Sequence, residues 1–187
     1  ATSFTGPLTA LDVCGHEITH AVTTNSANLT YSNESGALNE SFSDVFGETI
    51  ENYGRPTQWN WKIGEDITAG NAGIRDMSNP SLFSHPKYYK GLNWYAGALD
   101  NGGVHTNSGV QNYWYYLIAN GKKGTNEVGN VFAIDTLGFV KSAKIAYRSL
   151  TVYLTASSTY ADARTYSIIS ATDLFGTCSK EVIAVTN

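Results

Sequence analysis

The pentapeptide HEITH at residues 16–20 limits what this chain can fold into and do more than any other stretch. On a helix of 3.6 residues per turn, His16 and His20 stand one above the other on a single face. Two neutral imidazoles so placed can hold one Zn2+ through ring nitrogens, and Glu17 beside them can take a proton from an attacking water. The same string also arises by chance in helices that bind nothing, so a metal reading needs a helix and a third ligand. The helix is legible: Leu8, Leu11, Gly15, Ile18 and Val22 recur at helical spacing and predict a buried helix over residues 8–22.

The third ligand is sought in NESGALNESFSD, residues 33–44. Leu38, Phe42, Val45, Phe46, Thr49, Ile50 and Tyr53 follow helical spacing, so this stretch opens a second helix. Glu40 and Asp44 share one face of it, and Glu48 and Glu51 continue along the same helix. An acidic stripe near a helix start favours the helix dipole without further purpose. Here Phe42, Val45 and Phe46 interleave with it, so the helix is packed and its carboxylates need partners. Glu40 can complete a zinc site, and Asp44 can accept the free ring N–H of a zinc histidine and fix its tautomer.

The rest of the chain supports a mainly α domain. Helical patterns run over residues 106–120, 135–154 and 159–175, with Gly121 and Gly176 as stops. Residues 54–103 hold most of the Pro, Trp and Gly and read as long folded loops; few stretches alternate as strands do. At 187 residues and 42% apolar the chain can bury one core. A net charge of −4 gives no basic footprint for nucleic acid. No apolar run nears the ~20 residues of a membrane span. Eighteen Gly, many Asn, Ser and Thr and few Lys suit a secreted hydrolase. The opening ATSFTGPLTALD has neither the charged start nor the apolar run of a signal peptide, so a mature or trimmed product is the natural reading. Cys14 and Cys178 allow one disulfide at most, within the chain or with partners beyond it. Cys14 lies about 200° round the helix from His16, away from a metal on the histidine face.

With HEITH, with the glutamate of NE 24 residues after the first histidine, with IRDMSNP at 74–80 and DNGGVHTNSGV at 100–110, the chain resembles the thermolysin family of secreted zinc endopeptidases. The match runs from about Phe4 to Val185. It implies that residues 1–187 form that family's C-terminal lobe, a helical bundle with long central loops, without the N-terminal β lobe. It implies one catalytic zinc on His16, His20 and Glu40, with Glu17 as general base. His105 and Tyr31 are implied to stabilise the oxyanion, Asp100 to orient His105, and Arg75 to hold a substrate carbonyl. Phe4, Val13, Ile63, Ile67 and Ile74 occupy the positions of the pocket for the residue after the scissile bond; all are apolar, which favours a large hydrophobic side chain. For Val13 and Ile63 a core role is compatible with this.

Asp12, Glu48, Glu51, Asn60 and Glu65, with the carbonyl of Lys62, match the family's calcium region, and hard oxygens are what Ca2+ requires. Lys62 stands where a second ion would want a carboxylate, so one structural calcium is expected. Peptide or protein substrates follow, with the absent lobe or a propeptide as a further partner. Against the endopeptidase stands a zinc- and calcium-binding fragment that folds but does not turn over peptides alone. A carbohydrate-binding domain, suggested by 4 Trp and 12 Tyr, is opposed by the helical spacing in NYWYYLIANG, which predicts core packing. His105 taken alone reads as an ordinary loop histidine, and His85, in SHPK, as a surface residue.

Overall fold

The computed structural model describes residues 3–187, so residues 1 and 2 of the expected domain lie outside the described residues. Two helices form its axis, α1 (Leu11–Thr24) and α2 (Asn33–Gly54). Their backbones meet where side chains vanish: a Cβ on Gly47 would stand 2.5 Å from the Asp12 carbonyl oxygen, and one on Gly15 3.1 Å from the Gly47 Cα. That close approach brings the His16–His20 face of α1 against the Glu40–Asp44 face of α2. The other sides of α2 are buried as well, with Leu38, Phe42 and Val45 in the main core.

The loop region expected over 54–103 holds two short antiparallel strands, β1 (Lys62–Ile63) and β2 (Arg75–Asp76), pairing Ile63 with Arg75. The pattern read as one helix over 106–120 is two, α3 (Asp100–Asn107) and α4 (Gly109–Asn120). Along α4, Tyr113, Tyr115, Leu117 and Ile118 are buried, as the spacing of NYWYYLIANG predicts. A hairpin absent from the sequence reading follows, β3 (Lys122–Thr125) with β4 (Val131–Ile134). It delays α5 to Gly138–Arg148, which ends in a π-helical turn at Ser149–Tyr153. Thr159 caps α6 (Tyr160–Phe175) reciprocally with Asp162, and α7 (Lys180–Thr186) closes the described chain. Gly121 and Gly176 end their helices as expected, with φ of 74° and 86°.

Two expectations are corrected, and the pairing of the cysteines, left open by the sequence, is answered. Leu8 precedes α1, and Ile18 is 64% exposed, so the apolar stripe of α1 is not wholly buried. Ile18 faces outward from the α1–α2 packing, so its apolar surface stays open. Cys14 and Cys178 are both free, Cys14 half-buried and Cys178 exposed. His85 is half-buried beside Gly109, not a surface residue, and burial, with Arg75 adding to it, pushes its imidazole down to about 4.

Candidate active site

His16 and His20 project from α1 with their Nε2 atoms 3.1 Å apart. Their other nitrogens decide what that distance means. The Nδ1 of His16 lies 2.8 Å from Asp44 Oδ1. Asp44 is buried, which alone would raise its pKa, but the Arg75 guanidinium and His16 hold it below the usual carboxylate range. An ionised carboxylate only accepts, so His16 Nδ1 carries the proton. The Nδ1 of His20 lies 2.8 Å from Asn39 Oδ1, and Asn39 Nδ2 donates to the Leu29 carbonyl at 3.2 Å, which fixes the amide as an acceptor toward His20. In the neutral rings both Nε2 atoms therefore present lone pairs to one another, an arrangement that calls for a cation between them.

Glu40 supplies the third corner. Its two carboxylate oxygens lie 3.5 Å from the Nε2 atoms of His16 and His20 respectively, and Oε2, fully buried, has no hydrogen-bond partner. A tetrahedral zinc with bonds of about 2.1 Å separates its ligands by about 3.4 Å. The Nε2 atoms 3.1 Å apart, each 3.5 Å from one oxygen of the Glu40 carboxylate, leave room for that ion among the three side chains. Glu17 is exposed on the next position of α1 and lines, with these three, a cleft of about 640 Å3 walled by Tyr31, Asn39 and His105.

His105 faces the cluster from α3, its Nε2 3.5 Å from Glu40 Oε2 and 3.2 Å from the Tyr31 hydroxyl. Asp100 anchors it twice, accepting from its Nδ1 at 2.6 Å and its backbone N–H at 3.0 Å. The chain reaches this geometry through a left-handed run, Asp100, Asn101, Gly102 and Gly103 all having positive φ. A Cβ on Gly102 would stand 2.3 Å from Asn33 Oδ1, so the DNGG text is required sterically at its third position as well as conformationally. Tyr31 donates its hydroxyl to Glu40 Oε1. Burial first and Glu40 second hold that hydroxyl above the ordinary tyrosine range, so it remains a donor.

Arg75 is buried and forks onto Asp44, its Nε 2.7 Å from Oδ2 and its Nη2 2.6 Å from Oδ1. The five residues read as a substrate pocket are dispersed: Val13 and Ile67 cluster with Ala10, Ile63 lies in the main core with Ile74 packed on it, and Phe4 is 55% exposed. Phe4 still borders Ile67, because residues 3–5 pair with residues 67–69. Asn39, Ser43, Asn112 and Ser41 also belong to the site's surroundings and were missed; an asparagine or serine inside a helix carries no periodic signal, and their partners are up to 71 residues away.

A second cluster sits further along the same helix pair. One carboxylate oxygen each from Asp12, Glu51 and Glu65, all buried, lies within 4.8 Å of the others. Glu48 is buried beside them with neither oxygen partnered; Asp12 Oδ1, Glu51 Oε2 and Glu65 Oε2 also lack partners. Desolvation, then mutual repulsion, raises Glu48 well above the carboxylate range and Glu65 to about 7. An all-oxygen set with unpartnered buried atoms fits Ca2+. Asn60 bonds Glu65 Oε1 through its Nδ2 and accepts the Lys62 N–H, while the Lys62 ammonium turns away to the Asn71 carbonyl.

A mainly helical lobe that sets two helix histidines, a glutamate and a facing His–Asp pair around one cleft has the architecture of a metallopeptidase. The chain belongs to the thermolysin family: residues 27–187 match the thermolysin metallopeptidase alpha-helical domain. It is 48% identical over 186 residues to a bacillolysin of Bacillus cereus and 44% identical over 178 residues to a thermolysin of Alicyclobacillus acidocaldarius subsp. acidocaldarius. These alignments cover 98% and 94% of this chain but 31% of each relative, so the chain spans about a third of their length. The solved precursor of protealysin, a metalloproteinase from Serratia proteamaculans, is similar with a TM-score of 0.75 at 30% identity, over 94% of this chain and 54% of that one. No helix among the described residues is long and apolar enough to cross a membrane.

Proposed function

We propose that this chain is the zinc-binding lobe of a secreted endopeptidase that cuts before large hydrophobic residues. The observation that carries the reading is the pair of facing Nε2 lone pairs, 3.1 Å apart, closed by the unpartnered Glu40 oxygen. His16, His20 and Glu40 would hold zinc, which when bound supplies a Lewis acid for the scissile carbonyl and acidifies water. Glu17, open to the cleft, takes a proton from the attacking water and passes it to the departing amine. His105 in its protonated form donates from Nε2 and Tyr31 from its hydroxyl to the oxygen on which negative charge develops. Asp100 balances the imidazolium and fixes its ring. Arg75 gives Asp44, and through it His16, a fixed orientation, and is also the candidate for gripping a substrate carbonyl.

One calcium ion at Asp12, Glu48, Glu51, Asn60 and Glu65, with the carbonyl of Lys62, completes the reading. The large-residue preference rests on Phe4, Val13, Ile63, Ile67 and Ile74 all being apolar, with Val13 clustering with Ile67 and Phe4 bordering Ile67. A second reading is supported by one observation, the open apolar side of α1 around Ile18 in a chain spanning a third of its relatives. On that reading the lobe binds its metals but needs a second lobe to bind peptide well. A fluorogenic peptide with Leu or Phe after the scissile bond, assayed with and without a zinc chelator, tests both. Chelator-sensitive cleavage on the amino side of that residue supports the first; zinc binding without turnover supports the second.

A further inference from the structure

We infer that Asn112, on α4 and outside the cleft, is a positioning residue for the zinc-binding His16, held in register by Ser41; the inference rests on the zinc reading above. Asp44 is the carboxylate that aims His16, and it is wholly buried. A carboxylate offers about four lone-pair directions, and here four donors arrive. His16 Nδ1 at 2.8 Å and Arg75 Nη2 at 2.6 Å meet Oδ1, while Arg75 Nε at 2.7 Å and Asn112 Nδ2 at 2.7 Å meet Oδ2. The arginine fork fixes the plane of the carboxylate but comes from a two-residue strand. Apart from His16 itself, Asn112 is the donor that stands within a helix packed on α2, the twelve-residue α4, so it refers that plane to the helical scaffold.

Asn112 in turn has a single compatible orientation. Its amide is 1% exposed, and Ser41, buried on α2, donates its hydroxyl to Asn112 Oδ1 at 2.7 Å. An amide flip would set the carbonyl oxygen against the Asp44 carboxylate, two acceptors facing each other. Ser41 thus donates to Asn112, and Asn112 and His16 both donate to Asp44, so the bonds converge on the carboxylate and each donor has one acceptor of the right kind. Partners behind a ligating histidine typically alter metal affinity 10–100-fold when removed. One link further out, Asn112→Leu should act at the lower end.

The test measures zinc dissociation constants of the 187-residue chain by competition with a chromophoric chelator, alongside melting of the zinc-free protein. Asn112→Leu keeps the branching and number of heavy atoms and removes the donor, and should weaken zinc about tenfold. Ser41→Ala removes only the lock on the amide, and about threefold is expected, the worth of one neutral hydrogen bond. A purely structural role would lower zinc-free melting and leave both constants unchanged; that result overturns the proposal. Should Asn112→Leu fail to fold, Ser41→Ala decides alone: a weaker constant supports the inference and an unchanged one overturns it. His16→Ala is the control. If it too leaves the constant unchanged, the zinc assignment fails, and Asn112 has no zinc ligand to position.

Discussion

The two carboxylate-bearing clusters share α1 and α2 and differ in how the protein has prepared them. At the first, His16, His20 and Asp44 each have hydrogen-bond partners, and only Glu40 Oε2 is left without one. At the second, Asp12, Glu48, Glu51 and Glu65 together leave five buried oxygens unpartnered. Residues at steps of four supply both: Asp12, His16 and His20 on one helix, Glu40, Asp44 and Glu48 on the other. A site whose ligands are oriented by other residues keeps its shape when the metal leaves. A site of like charges does not, because burial without partners costs each carboxylate its hydration. The first cluster should therefore govern chemistry and the second stability.

The sharpest way to break that division is to strike the first cluster. His20→Ala should lose zinc and with it all peptide hydrolysis, while Glu17→Ala should keep zinc and lose about 10²–10⁴-fold in rate, the usual worth of a positioned base. Metal content and peptidase rates measured together separate ligand from base. Equal zinc in the His20 variant, or full activity in the Glu17 variant, contradicts the assignment.

The second cluster is tested by melting. Calcium at a hundredfold excess over its dissociation constant should add about 2.7 kcal/mol, since it binds only the folded arrangement. Protein holding zinc alone should melt below protein holding both ions. Coincident melting curves would show that the acidic cluster is satisfied without a cation.

Acidity offers the same comparison from another side. Glu65 titrates at about 7 in the folded protein against 4.5 as its ordinary value, mainly through desolvation. A raised carboxyl pKa means the folded state binds the proton more tightly, so metal-free stability is greatest below about 4.5 at this group and declines as pH rises to 7. The decline from Glu65 is on the order of 3 kcal/mol or less. Calcium replaces those protons, so its affinity should rise over the same interval. Chemical denaturation of metal-free protein at several pH values checks this; stability that is flat or rising there removes the electrostatic basis of the comparison. His85 acts oppositely, since its folded value is pushed down to about 4: its share of stability is present above its ordinary 6.5 and fades as pH falls toward 4.

How far the sequence revealed these clusters follows from the range of the contacts. The four-residue steps that build both of them are local, so HEITH and NESFSD disclose which residues share a face. Glu40 and Asp44 were legible because interleaved aromatics demanded that the helix be packed. Asn112 was not, because its acceptor is 68 residues away and nothing in NYWYYLIANG marks one asparagine as a donor. The β3–β4 hairpin escaped because KKGT carries no alternation of apolar and polar residues. Ile18 was read as buried from its spacing alone, and spacing does not say whether a partner surface is present. His85 was misjudged for a related reason: Gly109, 24 residues away, lies against it, and SHPK does not show that distant contact.

The smallest effect concerns Arg55, the cation already beside the acidic cluster. It bonds Glu51 through Nη2 and Asp66 through Nη1, the latter at 2.6 Å. Its side chain is 33% exposed and Asp66 is 42% exposed, so that outer pair contributes little in water. The Glu51 contact differs because Glu51 is buried and has one oxygen without a partner. Without calcium, Arg55 is the guanidinium among the described residues that offsets Glu51; with calcium, it competes for the same carboxylate. Arg55→Gln should therefore destabilise metal-free protein by about 1 kcal/mol, a typical charge-assisted hydrogen bond less its solvent screening. The same variant should bind calcium several-fold more tightly, so its gain in melting temperature on adding calcium should exceed that of the parent chain. Calcium titration of both proteins by calorimetry, paired with melting, reads the two effects separately. An equal gain in both would mean that Arg55 and calcium use different oxygens of Glu51, and that the acidic cluster is less self-repelling than its unpartnered atoms indicate.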